Sequence, residues 1–99
     1  RMLEKAYSKK KNDPYIIDSI GGAYYLTKDF VKAEKFLKRA VQLMPEDPIV
    51  NDHYGDILWK LDRKIQARYF WLMVLKMKDA EPEQIDQIQN KIIEGPKSS

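Results

Sequence analysis

The residues of this 99-residue chain that could do chemistry are grouped around its single histidine. Asp52 directly precedes His53, and Asp56 follows three residues later. Carboxylates beside an imidazole occur in metal sites and in acid-base catalysis. Neighbouring helical residues point roughly 100° apart, however, and one histidine without a second histidine or a cysteine is a thin ligand set. No nucleophile with a base and an orienting partner is visible at a useful spacing. We therefore predict no catalytic residue, metal site, cofactor or small-molecule substrate.

The composition indicates one small domain without covalent cross-links. Cysteine is absent, which excludes disulfides and thiolate metal sites and leaves the cellular compartment open. No apolar run approaches the roughly 20 residues of a membrane span, and no secretory pattern is visible. Localisation stays unassigned, with the cytoplasm as the default and a targeting segment of a longer parent protein out of view. The net charge of +3, from 18 basic and 15 acidic residues, is too small to identify a nucleic-acid partner.

Apolar residues at helical spacing predict an all-α chain of about six helices. Met2, Leu3 and Ala6 share one helical face and predict a helix that the sequence enters partway. Aspartate and proline residues mark the later helix starts, at Pro14, Phe30, Ile49, a helix introduced by Asp62, and Pro82. The expected ends are Thr27, Leu43, Leu61, Met77 and Gly95. Every connection is short, so neighbouring helices should form antiparallel hairpins.

Residues 13–45 can be laid over residues 47–79 without a gap, at an offset of 34 residues. The matches include Asp13-Pro14 with Asp47-Pro48, Asp18 with Asp52, Gly21 with Gly55, Ala33 with Ala67, and Phe36-Leu37 with Phe70-Trp71. A fixed period of this length is typical of stacked repeats, which bind macromolecules along extended surfaces. Glycine inside a helix costs about 1 kcal/mol relative to alanine. We therefore expect close packing at Gly21-Gly22 and Gly55, with Ala33 and Ala67 as the counterparts.

The repeated residues resemble the tetratricopeptide repeat. The first unit carries Gly21, Tyr24, Ala33, Phe36-Leu37, Ala40 and Pro45, and the second carries Tyr54-Gly55, Leu58, Ala67, Phe70-Trp71 and a closing Asp79. The resemblance implies a right-handed α-solenoid of helix hairpins, in one domain over residues 1–95. This domain would consist of the second helix of a truncated repeat (1–12), repeats at 13–46 and 47–80, and a capping helix (81–95). A flexible tail (96–99) would follow it. Lys28 and Asp62 stand where the family usually has a turn glycine. The RNA-reading pentatricopeptide repeats, with a longer period, match less well.

In this family the first helix of each repeat lines a concave groove that holds partner peptides. The resemblance places eight residues there: Tyr15, Asp18, Gly22, Tyr25, Ile49, Asp52, Asp56 and Trp59. Spacing alone puts Asp52, Asp56 and Trp59 on one helical face. Such a groove should prefer a peptide with Lys or Arg and an apolar anchor. The alternative interpretation is that the carboxylates form a solvated face and that Tyr25 and Trp59 are structural filler.

The fourth of these capped helices has a second apolar face, which gives an alternative function. Ile65, Tyr69, Leu72 and Met73 stand where the preceding unit has Val31, Lys35, Lys38 and Arg39. A helix that is apolar nearly all round is usually buried on both sides. Either the final helix covers this face, or Tyr69, Leu72 and Met73 contact another protomer or domain. A self-associating structural element, using this helix or the open amino-terminal end, is therefore the alternative to peptide binding.

The basic residues suggest a third function, on the outer side of the array. They are Lys9-Lys10-Lys11, Lys32, Lys35, Lys38, Arg39, Lys64 and Arg68. Such a face could bind phosphate backbones or anionic lipid. It is more often simply solvated, and single-stranded nucleic acid would require interleaved aromatics that are few here. The sequence therefore favours a non-catalytic protein-protein interaction module over a nucleic-acid-binding protein.

Overall fold

The computed structural model describes residues 13–96, and within that range the fold is all-α with no strand. The five helices are α1 (Pro14–Leu26), α2 (Phe30–Leu43), α3 (Pro48–Lys60), α4 (Lys64–Leu75) and α5 (Pro82–Glu94). Each packs on the next in chain order, and α1 also touches α3. The predicted fold class is thus confirmed as a sequentially packed α-solenoid. The predicted helix over residues 1–12 and the tail beyond Pro96 lie outside the described residues.

Aspartate caps set the starts of the first three helices, as predicted. Asp13 accepts backbone N–H bonds through Oδ1 at 3.0 and 3.4 Å, and Asp47 does so at 2.9 and 3.0 Å. Pro14 and Pro48 occupy the first helical position, where a missing N–H costs nothing. Asp29 caps α2 through one bond of 3.3 Å. The aspartate caps therefore set the residue at which each of these three helices begins.

The start of α4 differs from the prediction that Asp62 introduces it. Arg63 takes the N-cap position and makes no side-chain cap bond, and the helix ends at Leu75 rather than Met77. Asp62 instead has a φ of 63°, and its counterpart Lys28 has a φ of 66°. A left-handed conformation costs a non-glycine residue about 1–2 kcal/mol. Lys28 and Asp62 therefore both form the left-handed turn between the two helices of a hairpin, and neither is the N-cap of the second helix.

Each hairpin closes on a glycine. A Cβ at Gly21 would lie 2.6 Å from Leu37 Cγ, and one at Gly55 would lie 2.6 Å from Trp71 Cδ1. Leu37 and Trp71 occupy matched positions of the two units and are buried. The expected counterparts Ala33 and Ala67 are also buried, but the glycines make their closest approach to the larger side chains. In each hairpin, the absence of a side chain on one glycine thus leaves room for one large residue of the facing helix.

Helix α5 closes the second hairpin. Ile88 is fully buried, and Ile85 and Ile92 are half-buried, at the spacing the sequence predicted. Gly95 ends the helix with a φ of 82°. A Cβ there would lie 2.7 Å from the Trp59 indole nitrogen, so only glycine allows this contact. None of the helices between residues 13 and 96 has the length and apolarity needed to cross a bilayer.

Candidate functional site

The structure divides the eight predicted groove residues among three surroundings. Three of them line one cavity: Gly22, Tyr25 and Asp56. Two are exposed near the connection between α2 and α3: Tyr15 and Ile49. The remaining three are held by other side chains: Asp18, Asp52 and Trp59. The predicted residues therefore do not form one continuous site.

The cavity lies between α1 and α3 and has a volume of about 480 Å³. Its apolar walls are Gly22, Ala23, Tyr25, Leu26 and Leu37, and its polar groups come from Ser19, His53 and Asp56. Among residues 13–96, no heavy atom outside Gly22, its two neighbours and the adjoining helix backbone lies within 4 Å of the position that a Cβ of Gly22 would occupy. The expectation that Gly22, like Gly21, is required by packing is therefore wrong. Apolar walls with a few convergent polar groups are typical of a ligand pocket.

Tyr25 forms the wall of the cavity nearest the carboxylates. Its ring is half-buried and packs edge-on against Phe30, at 5.9 Å between centroids. Burial, followed by the charges of Asp56 and Asp52, raises the pKa of the Tyr25 hydroxyl to about 12. The phenol therefore stays neutral and is available as a hydrogen-bond donor.

Lys91 of α5 neutralises part of the acidic cluster. Its Nζ lies 2.8 Å from Asp52 Oδ1 and 3.0 Å from Asp56 Oδ1, and it donates to Asp56 Oδ2 at 3.1 Å. Burial opposes the charge on Lys91, but Asp56 and Asp52 together raise its pKa. Asp52, Asp56 and Trp59 do share one face of α3, and α5 covers that face. Two of the predicted groove carboxylates thus also hold α5 in place.

Asp56 has both carboxylate oxygens close to the Lys91 ammonium, at 3.0 and 3.1 Å. Its Oδ1 is buried and accepts no hydrogen bond, although the Lys91 ammonium is close. Burial raises the pKa of Asp56 to about 6, and Lys91 only partly offsets that effect. The Asp56 carboxylate that lines the cavity is therefore already paired with Lys91.

His53 connects the third carboxylate to the groove. Its Nδ1 lies 2.9 Å from both carboxylate oxygens of Asp18, which joins α1 to α3. Burial lowers the pKa of His53, but the hydrogen bond and charge of Asp18 outweigh it, so the net pKa is raised. In the described part of the chain, no group of three or more His, Cys, Asp or Glu residues is placed to hold a metal ion. The contact joins α1 to α3, and it is an ion pair when the imidazole is protonated.

Trp59 lies at the junction with α5 rather than in the cavity. Its ring packs 5.6 Å from that of Trp71 and under the cations Lys64 and Arg68, at 5.0 and 5.2 Å. Arg68 also donates to a backbone carbonyl of α5 at 2.9 Å. Trp59, Lys64 and Arg68 therefore form contacts at the junction of the second hairpin with α5, rather than a groove or an outer basic face.

Sequence reasoning missed Lys91, although the sequence carried a signal for it. Lys91 follows Ile88 by three residues and lies within the stripe of Ile85, Ile88 and Ile92 that faces inward. A cation on a buried stripe requires a partner, and carboxylates are the usual one. The remaining additions to the site are Ser19, Ala23, Leu26 and Leu37. Leu37 belongs to the repeat pattern as a packing residue, and the other three have no distinguishing local pattern.

No protein-family model matches this chain, and no curated protein matches it significantly. The function is therefore argued from the geometry of the groove and from its charges.

Proposed function

We propose that this protein is a non-catalytic protein-interaction module that binds a peptide segment in the groove between α1 and α3. The observation that carries the proposal is the 480 Å³ cavity, with its apolar walls and the Asp56 carboxylate at its edge. The resemblance to tetratricopeptide repeats supports the same surface, because the first helices of such repeats line their peptide groove. The proposal thus retains Gly22, Tyr25 and Asp56 as contact residues.

The charges around the cavity favour a basic partner. Three carboxylates, those of Asp18, Asp52 and Asp56, are opposed by one ammonium and one imidazole, those of Lys91 and His53. When the imidazole is neutral, the cluster keeps an excess of negative charge. Complementary charge contributes specificity and speeds encounter. The preferred segment therefore carries Lys or Arg next to an apolar side chain.

The apolar anchor has a defined place to enter. Gly22 leaves open the wall through which a side chain reaches Leu26 and Leu37. Burial of one Leu-sized side chain contributes about 1.5–3 kcal/mol. The cation would then lie near Asp56 and the Tyr25 hydroxyl. The two contacts together define the segment as an apolar residue with a neighbouring cation.

The test uses a substitution that fills the cavity without disturbing the fold. Gly22→Leu places a side chain in open space and replaces a weak helix former. Peptides from a random display library are selected on the parent protein, and their affinities for the parent and for the variant are measured by fluorescence polarisation. We expect selected sequences to combine an apolar residue with Lys or Arg, and to bind Gly22→Leu at least about tenfold more weakly, the equivalent of about 1.4 kcal/mol.

The matched control adds the same side chain elsewhere. Gln42→Leu places leucine on the exposed side of α2, outside the groove. It should leave the affinity unchanged. Asp56→Asn should reduce the preference for cationic peptides. Equal binding to the parent and to Gly22→Leu, with both proteins folded, would contradict peptide binding in this groove.

A further inference from the structure

The face of α4 that points away from the core is apolar and uncovered. The exposed fractions of Ile65, Tyr69, Leu72 and Met73 are 84, 58, 48 and 39%. We call these four residues the outer stripe. They extend over about 12 Å of helix at 1.5 Å per residue. Of the two alternatives for this face, these exposures contradict coverage by α5, and the stripe remains available to a partner.

The first hairpin shows that stacking would not cover the stripe. The equivalent residues of α2 are Val31, Lys35, Lys38 and Arg39, and all four are exposed although a further hairpin packs behind α2. A hairpin stacked on the second unit in the same way would leave the outer stripe exposed as well. Whatever covers it must approach from the outer side of the array.

A recess beside the stripe connects α4 to α2. It has a volume of about 560 Å³, and its lining includes Ile65 and Tyr69 of the stripe and the rings of Tyr54 and Phe70. Tyr54 is only 8% exposed, so the recess has an aromatic floor. Glu34 and Lys38 line its α2 edge, and Arg63, 3.8 Å from Glu34, lines it at the start of α4. A side chain from a partner could therefore be inserted next to the stripe.

Helices α2 and α5 flank the outer stripe on opposite sides. Phe70 lines the recess shared with α2, whereas Arg68, two residues earlier and so roughly 200° away around the helix, donates to α5. Helix α2 therefore lies on one side of the stripe and α5 on the other. The outer face of α2 carries the exposed cations Lys32, Lys35, Lys38 and Arg39. The α2 side of the stripe thus carries an excess of positive charge, although Glu34, 3.8 Å from Arg63, also lines the recess.

We propose that the outer stripe and the α2–α4 recess dock an amphipathic helix of a partner protein, with an apolar stripe on α4 and acidic residues over α2. A helix in a groove places its apolar anchors at i, i+3, i+4 and i+7, which matches the spacing of the outer stripe. The acidic side of that helix would neutralise Lys35, Lys38 and Arg39. The surface is separate from the α1–α3 groove, so neither proposal depends on the other.

Charge favours this occupant over a second copy of the chain. An antiparallel pairing of two α4 helices through their outer faces would bring the two basic α2 helices to the same side. A parallel pairing would oppose Lys76 to its own copy. Like charges across an interface are unfavourable. A flat anionic bilayer would meet the cations but leave the aromatic recess unfilled.

The experiment uses two designed helical peptides of identical apolar stripe, one with Glu and one with Lys on its flanks. Binding to the whole chain is measured by fluorescence polarisation. The variant Tyr69→Lys/Leu72→Lys/Met73→Arg gives α4 the outer residues that α2 already carries, so the fold has a precedent for them. We expect the Glu peptide to bind, the Lys peptide to bind at least about tenfold more weakly, and the triple variant to lose the Glu peptide by a similar factor.

Controls distinguish helix docking from self-association and from membrane binding. Lys35→Glu/Lys38→Glu should exchange the preference between the two peptides. Both peptides are also measured on Gly22→Leu, which closes the α1–α3 groove to the Lys peptide, and the preference for the Glu peptide should persist there. Unchanged melting temperatures establish that the variants are folded. Equal binding of both peptides would overturn the proposal, as would a Glu-peptide affinity that the triple variant leaves intact. Stripe-dependent dimerisation in a light-scattering dilution series, or sedimentation with phosphatidylserine vesicles without peptide binding, would overturn it in favour of those occupants.

Discussion

The two hairpins of this protein share their packing and differ in the surfaces they leave open. In each, a glycine seats a large side chain of the facing helix: Gly21 against Leu37, and Gly55 against Trp71. On the inner side, the first hairpin leaves Gly22 facing open space, whereas α5 covers the second. On the outer side, α2 is basic and α4 is apolar. A repeated core thus tolerates independent change of both faces, and the candidate binding surfaces lie where the repeats differ.

The largest expected effect tests the shared packing. Gly55→Leu should lower the free energy of unfolding by about 4 kcal/mol or more, because the new side chain would displace the buried Trp71. The same substitution at Gly22 provides the control. Urea unfolding followed by circular dichroism measures both variants. If the two variants unfold at similar urea concentrations, the glycine contact does not hold the hairpin together.

A smaller effect tests the closure that distinguishes the second hairpin. Lys91→Met should cost about 3 kcal/mol, because Asp52 and Asp56 would stay buried without their cation. Lys35→Met removes an exposed cation from the first hairpin and should change stability by less than about 0.5 kcal/mol. Urea midpoints compare the two. Adding Asp56→Asn to Lys91→Met should restore part of the loss, and a failure to do so would contradict the assigned pairing.

The pH dependence of stability tests the same buried contact between α5 and the second hairpin. The pKa of Asp56 is raised in the folded protein to about 6, from 3.8. A raised pKa means that its stabilising contribution is complete below pH 3.8 and is lost as the pH rises through 6. Relative to Asp56→Asn, the parent protein should lose at most about 3 kcal/mol between pH 4 and pH 7. Parallel pH profiles for the two proteins would show that Asp56 does not titrate in this way.

The smallest effect separates two neighbouring glycines. Gly22→Ala should stabilise the protein by up to about 1 kcal/mol, since alanine favours the helix and meets no atom. Gly21→Ala should destabilise it, because the methyl group would meet Leu37. Thermal melting of both variants checks the difference. A loss of stability at Gly22→Ala would mean that the α1–α3 cavity is not open.

Local chemistry made most of the fold predictable. The caps at Asp13, Asp29 and Asp47 and the terminator Gly95 depend on a few adjacent residues, so the sequence displays them directly. The prediction that Asp62 introduces α4 is wrong. It relies on the preference of aspartate for helix N-caps, whereas Asp62 aligns with the turn residue Lys28 in the 34-residue repeat. The repeat alignment already indicated the shared turn that both residues adopt.

The candidate site was harder to predict because its contacts join distant parts of the chain. Periodicity placed Asp52, Asp56 and Trp59 on one face correctly, but it did not show that α5 would occupy that face. The partner Lys91 is 35 residues beyond Asp56. Periodicity within a helix gives the direction of a side chain and does not identify what lies opposite it. The apolar exchange at Leu72 and Met73 was visible, whereas their exposure depended on where α5 packs.

The central claim is that the inner face of the first hairpin binds a peptide while the repeated core only supports it. A library-selected peptide titrated into ¹⁵N-labelled protein, with amide chemical shifts recorded by NMR, tests this most directly. We predict that the largest shift changes fall on Gly22, Ala23, Tyr25 and Asp56, and that they disappear in Gly22→Leu. Shift changes confined to α4, or unchanged in Gly22→Leu, would contradict the claim.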